Sequence, residues 1–161
     1  MKELVVLSGK GGTGKTSITA ALLSLAADQE LNPVICDADV DAANLHLILI
    51  PQVQSAHEFK GGNEAVINPD KCTGCGQCAD LCRFDAVTDK FQIDPVACEG
   101  CGVCVDLCPV EAIDFPETVC GEWFHSDTRF GPFVHARLGI AQENSGKLVA
   151  MVREEARKLA R

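Results

Sequence analysis

Basic residues are scarce in this 161-residue chain: 14 Lys and Arg stand against 23 Asp and Glu, a formal charge of −9. Non-specific nucleic-acid binding needs clustered cations to replace counterions, so that class is excluded. An anionic membrane surface is disfavoured for the same reason. Long apolar runs are missing too, and none approaches the roughly 18 residues of a membrane span. The first residues, Met1-Lys2-Glu3-Leu4-Val5-Val6-Leu7-Ser8, hold too short an apolar stretch for a signal peptide and lack a small-residue cleavage site. A cytoplasmic protein is expected. The rest is ordinary for a soluble globular chain, 47% hydrophobic and 23% charged, long enough for one domain or two small ones.

Cysteine is the exception, with ten residues. In a chain with no export signal, metal ligation is expected in place of disulfides. Eight cysteines form two runs, Cys72-x-x-Cys75-x-x-Cys78-x-x-x-Cys82 and Cys98-x-x-Cys101-x-x-Cys104-x-x-x-Cys108, and Pro109 follows the second. The runs belong to an internal repeat of 26 residues, in which Ile67-Asn68-Pro69 matches Ile93-Asp94-Pro95. This spacing matches the bacterial two-cluster ferredoxin pattern, in which the fourth cysteine of each run reaches the other cluster. Cys72, Cys75, Cys78 and Cys108 are therefore assigned to one [4Fe–4S] cluster, and Cys98, Cys101, Cys104 and Cys82 to the second. A zinc site would use two C-x-x-C pairs and leave cysteines over. One departure is Arg83, standing where the second run has Pro109. Cys36 and Cys120 fall outside the pattern, and Cys36 reads as a small core residue. His46, His57, His125 and His135 show no ligand spacing and read as structural. Trp123, Phe124, Phe130 and Phe133 read as core or interface.

Gly9-Lys10-Gly11-Gly12-Thr13-Gly14-Lys15-Thr16 fits the phosphate-loop pattern G-x-x-x-x-G-K-[ST]. Glycines let backbone N–H groups approach phosphate oxygens, and the following helix turns its positive end to the same anion. Lys15 is placed to reach the β- and γ-phosphates and Thr16 to hold Mg²⁺. The context fits: residues 4–7 read as a strand, residues 17–29 as a helix, and Val34-Ile35-Cys36 as a second strand after the Asn32-Pro33 break. Strand, loop, helix, strand begins a parallel α/β sheet. The second strand ends in Asp37, Asp39 and Asp41, at the carboxyl edge where ligands of open α/β sheets bind. The apolar stretch to Ile50 ends at Pro51. Residues 117–147 resist assignment, and residues 147–161 read as an amphipathic helix with Leu148, Met151, Val152 and Leu159 near one face and Asn144 or Ser145 as its cap.

With Lys10 inside the loop, K-G-G-T-G-K-T resembles the deviant Walker A of the MinD/ParA/Mrp group of P-loop ATPases. The resemblance implies ATP held by Gly9 to Ser17, with Lys15 and Asp39 catalytic and Asp39 orienting the attacking water. It further implies that Thr16 and Asp37 serve Mg²⁺, and that Lys10 reaches the partner's nucleotide across an ATP-dependent homodimer. Two bland alternatives stand beside it: Lys10 as a solvated lysine, and Asp41 as a helix cap. The whole chain, including Glu143-Asn144-Ser145-Gly146-Lys147-Leu148-Val149, resembles the N-terminal half of a MinD-superfamily ATPase with an inserted ferredoxin. The expected fold is α/β: a P-loop domain over 1–57 and 117–161, with an α+β 2[4Fe–4S] ferredoxin-like domain inserted over 58–116. Only two strands are confidently read outside the insert, against a mean of about five or six per sheet, and no second strand ends in an Asp with a Gly-rich switch II.

Three functions follow. An ATPase couples nucleotide binding and hydrolysis to electron transfer or metallocluster handling. A ferredoxin-type electron carrier uses the loop only as scaffold or regulator. A cluster carrier, as in Mrp-type proteins, comes third, because two complete cysteine sets resemble permanent clusters. The expected partners are a redox or metallocluster-client protein and a subunit supplying the missing half, with apolar surface left exposed in its absence.

Overall fold

The computed structural model describes residues 2–10, 12–139 and 145–160. In chain order the elements are α1 (Lys15–Asp28), β1 (Ile35–Cys36), α2 (Leu45–Leu49), β2 (Gln52–Asn63), β3 (Val66–Ile67), α3 (Gln77–Leu81), α4 (Val103–Asp106), β4 (Ile113–Asp114), β5 (Glu117–Thr128), β6 (Gly131–Leu138) and α5 (Ser145–Leu159). Two compact units result. One gathers the chain up to Phe59, Gly121–Gly139 and α5, and the other is Lys60–Cys120. The chain passes between them within β2 and within β5, where the sequence reading had set the edges at residues 57 and 117. No helix among the described residues is long and apolar enough to cross a membrane.

The first unit is built on a four-stranded sheet of order β1-β6-β5-β2. β1 runs parallel to β6, with Ile35 opposite Phe133 and Cys36 opposite Val134. β5 and β6 form an antiparallel hairpin from Gly121↔Leu138 to Thr128↔Gly131. At its turn the Thr128 hydroxyl donates to the Gly131 carbonyl at 2.8 Å and accepts from the Phe130 N–H at 3.1 Å. Gly131 is required there: its φ is 133°, and a Cβ would sit 2.3 Å from the Pro33 carbonyl oxygen. β6 is an inner strand, and Phe133, Val134, His135 and Ala136 are all buried, without alternation. Leu23 of α1, Ile35, Leu45, Leu49 and Phe133 share one core with Phe130 packed against it, and α5 buries Leu148, Val152 and Ala156. Leu159, expected on that face, is exposed. The capping expectation at Asn144 and the Ser145 side chain lies outside the described residues.

The expected strand at residues 4–7 is absent. The segment has no regular structure, and Leu4 and Leu7 are 75% and 85% exposed. A strand exists only through its hydrogen-bonded neighbour, and none of the described strands pairs with this run. It is held instead by charge, as Glu3 accepts from Arg153 at 3.2 Å and from Arg157 at 3.0 Å. α1 fares similarly: Leu23 is its buried residue, while Ile18, Leu22 and Leu25 face solvent, as do Leu47, Ile48 and Ile50 around α2.

His135 has a structural role in this sheet. Its ring stacks between Phe133 at 4.4 Å and Phe124 at 4.9 Å, and Nε2 lies 3.1 Å from the Ser126 hydroxyl. Burial, with the neighbouring His46 and Arg137, pushes its pKa down to about 4. Between pH 6.5 and 4 the unfolded chain therefore binds a proton that the fold refuses. This term costs nothing above pH 6.5 and removes up to about 3 kcal/mol of stability by pH 4. Urea midpoints measured across that window should fall with pH in the wild type and flatten in His135→Phe.

The second unit is two-fold in its hydrogen bonding, at the sequence repeat of 26. Asn68 N–H donates to the Ala112 carbonyl at 2.7 Å, and Asp94 N–H donates to the Ala86 carbonyl at 2.8 Å. Ile67 pairs with Ile113 as Ile93 pairs with Val87. Each half thus pairs its beginning with the end of the other. The helices start alike, α3 after Gly76 and α4 after Gly102, both left-handed. Asp85 and Glu111 also match, with φ of 51° and 49°.

Candidate functional site

The loop expected to cradle phosphate lies between the unpaired N-terminal run and α1. Gly14 has φ 87° and is the N-cap of α1, leaving the first-turn N–H groups without a side-chain cap. Gly12 has φ 76°. A Cβ at either would meet open space, so glycine is needed there for its backbone conformation, which L-residues adopt at a cost. Gly11 lies outside the described residues. Lys10 is exposed, Thr16 is half-buried in the first turn of α1, and Ser17 is exposed.

Lys15 and Asp39 meet. The Lys15 ammonium donates to Asp39 Oδ2 at 2.6 Å, and both side chains are about one-third exposed. Asp39 is held by Asp37, whose Oδ1 accepts the Asp39 N–H at 3.1 Å and whose Oδ2 accepts the Leu45 N–H at 3.3 Å. Asp37 is itself tied to the sheet by its own N–H, which donates to the Val134 carbonyl at 3.0 Å. Burial raises the pKa of Asp37, and those two backbone N–H groups oppose the rise. Asp37 thus fixes the turn from β1 into α2 and carries Asp39 to the lysine. Asp41 is exposed and is not the helix cap, since Asn44 stands at that position. The Leu45 N–H contact escaped sequence reading because Asn44 marks a helix start but nothing local says that a carboxylate eight residues back takes its first N–H.

The cysteine runs line two cavities within the second unit. One has Cys72, Cys75, Cys78 and Cys108 on its wall, and the other has Cys98, Cys101, Cys104 and Cys82. Three cysteines in each come from one run and the fourth from the other, following the crossed pairing of the halves. Their empty volumes are about 340 and 320 Å³, mouths included. All eight thiols are free, and Cys75 and Cys101 are exposed. Burial raises the Cys78 and Cys104 thiols, and the neighbouring cysteines of each run push them further. The donor set suits a soft polynuclear centre, since four cysteine sulfurs on one wall are the ligands such a centre takes. Among the described residues no group of three or more His, Cys, Asp or Glu side chains is arranged to hold a metal ion. Backbone N–H groups already point at sulfur, Ala86 to Cys82 Sγ at 3.4 Å and Ala112 to Cys108 Sγ at 3.3 Å. Gly100 is needed for space, since a Cβ would sit 2.3 Å from the Asn63 carbonyl oxygen. Phe91 and Phe115 also line the cavities, one each. Sequence reading missed them because they are not related by the 26-residue repeat.

The remaining candidates settle as packing groups. Cys120 is buried, and burial pushes Cys36 up to about 11, too high for a reactive thiol. His57 stacks on Trp123 at 4.3 Å, and His125 meets the same indole edge-on at 5.1 Å. Among the described residues, Glu155 is the carboxylate nearest His125, 3.8 Å from its Nε2.

Residues 4–159 match the model of the CobQ/CobB/MinD/ParA nucleotide binding domain. The chain belongs to this family of nucleotide-binding proteins. An uncharacterized protein of Methanocaldococcus jannaschii is 36% identical over 156 residues, which cover 97% of this chain and 55% of that relative. The septum site-determining protein MinD of Buchnera aphidicola is 37% identical over 67 residues, 40% of this chain and 25% of its own length. The chain therefore spans about half of the first relative and a quarter of the second. No solved structure matches it.

Proposed function

We propose that the chain is an ATP-binding iron–sulfur protein, in which a MinD-type loop for Mg·ATP and two [4Fe–4S] clusters share one polypeptide and nucleotide binding is coupled to electron transfer or metallocluster handling. The observation that carries it is the pair of cavities, each walled by four free cysteines drawn three and one from the two runs. In this reading Cys72, Cys75, Cys78 and Cys108 hold one cluster and Cys98, Cys101, Cys104 and Cys82 the other. Bound clusters supply one-electron carriers. The N–H groups at Ala86 and Ala112 and the apolar walls orient and shield the thiolates. At the other site, Lys15 moves from Asp39 to the β- and γ-phosphates, Thr16 and Asp37 serve Mg²⁺, and Asp39 is freed to orient water. Lys10, exposed at the rim, is free to reach a second copy's nucleotide in an ATP-dependent dimer.

Hydrolysis is proposed to need further chain or a partner subunit. The uncovered apolar side chains around α1 and α2 and in residues 4–7 support that need. The test is anaerobic purification of the chain, iron and sulfide analysis, and electron paramagnetic resonance after dithionite, with and without Mg·ATP. About eight irons per chain and a reduced spectrum altered by ATP are expected. Eight irons with a spectrum blind to ATP would leave an electron carrier on an uncoupled nucleotide site. No iron would end the reading.

A further inference from the structure

We propose that the two cysteine-lined cavities hold clusters of unequal electron affinity, and that Glu99 makes the cluster of the Cys98 loop the harder one to reduce. This rests on the iron–sulfur reading above. Around the cysteines the two halves share their backbone: cross-pairing, helix starts and the left-handed Gly74, Gly76 and Asp85 repeat 26 residues on, and Phe91 is the left-handed residue without a counterpart. A difference between the cavities must therefore come from side chains. Within the runs, acids recur in pairs, Asp80 with Asp106 and Asp85 with Glu111, and cancel in the comparison. Two charge differences remain, Thr73 against Glu99 and Arg83 against Pro109. Just ahead of the runs, Asp70 and Lys71 offset each other, and Asp94, which stands against Asn68, is exposed and lines neither cavity.

Position decides between the two remaining differences. Thr73 lines the first cavity and Glu99 the second, and cysteines aside, Glu99 is the one charged residue on either wall. Arg83 lines neither cavity and is exposed. Reducing a cluster adds one electron to an assembly that already carries four thiolates. A carboxylate one residue from the ligand Cys98 opposes that added charge, while a threonine in the same place does not. Because Glu99 is exposed, water screens it, and the expected effect is on the order of five-fold in electron affinity. It should shrink as salt is raised.

The experiment is a one-electron redox titration of the anaerobically loaded full chain, followed by electron paramagnetic resonance, with iron and sulfide assayed on the same sample. The wild-type titration should need two overlapping one-electron midpoints, about five-fold apart in electron affinity, to describe it. E99T and E99Q should raise the lower midpoint about five-fold in electron affinity and leave the upper one in place, while T73E should lower the upper midpoint by a similar factor. The proposal is overturned if both midpoints stay put in E99T and E99Q, or if a single one-electron midpoint describes the wild type. Loss of iron and sulfide in the wild type would overturn the underlying reading and this proposal with it. Full iron content with unmoved midpoints overturns this proposal alone.

Discussion

Lys15→Ala is expected to weaken Mg·ATP binding by roughly 10- to 150-fold, the loss of a hydrogen bond to a charged group worth about 1.5–3 kcal/mol. The lysine is the cation that the loop brings against Asp39, at 2.6 Å. Removing it deprives the phosphates of a donor and leaves the Asp39 carboxylate facing them uncompensated. The fold should barely notice. Both side chains are about one-third exposed, and a pair of that kind contributes at most about 1 kcal/mol. Asp39→Asn separates the two roles proposed for the carboxylate. Nucleotide no longer competes with Asp39 for the lysine, so affinity should rise by up to about five-fold, the same 1 kcal/mol read in the other direction. Turnover, wherever the chain supports it, should collapse if Asp39 orients the water. Calorimetric titration of both variants against thermal melting distinguishes site from fold. A Lys15→Ala chain that binds ATP within two-fold of wild type would remove the lysine from the nucleotide site.

The local motifs of the chain were legible in the sequence, and its strand pairing was not. The loop could be read because Gly12, Gly14 and Lys15 must occupy fixed positions in a phosphate cradle, whatever surrounds them. The grouping of the cysteines, three from one run and one from the other, could be read because their spacing is short and repeats at 26 residues. α1 and α5 were found from helical periodicity. β5 and β6 were not, since β6 is buried on both faces and Phe133-Val134-His135-Ala136 shows no alternation to read. β2 escaped for the opposite reason: most of Gln52–Glu58 is exposed on either face, so its pattern carries no sheet signal. The converse error fell on residues 4–7. Their composition is that of a strand, but composition cannot supply the neighbour that a strand requires. Asp37 shows the same divide. Its place near the loop was evident, and its work on the backbone of Asp39 and Leu45 was not.

Stripping iron from the loaded chain is expected to unfold Lys60–Cys120 and spare the other unit. The apolar core of this unit is slight. Its buried residues are Ala65, Ala86, Ala112, Ile113 and Cys120, so only Ile113 brings a large hydrocarbon side chain. Its β3 and β4 are two residues long, and its helices have five and four. A unit of about 60 residues is marginal even with a full core, and here metal–thiolate bonds would have to supply the missing folding energy. The first unit differs, with Phe133, Val134, Leu148 and Val152 fully buried. Hydrogen exchange should therefore show the Asn68 and Asp94 amides losing protection together on chelation, since each is bonded across to the opposite half, while the amides of β6 and α5 hold. Cys101→Ser alone should loosen both halves, because each cavity borrows its fourth cysteine from the other run. Retained protection at Asn68 and Asp94 in the iron-free chain would mean that the crossed hydrogen bonds suffice to fold this unit without metal, and that its two cavities are built before anything fills them.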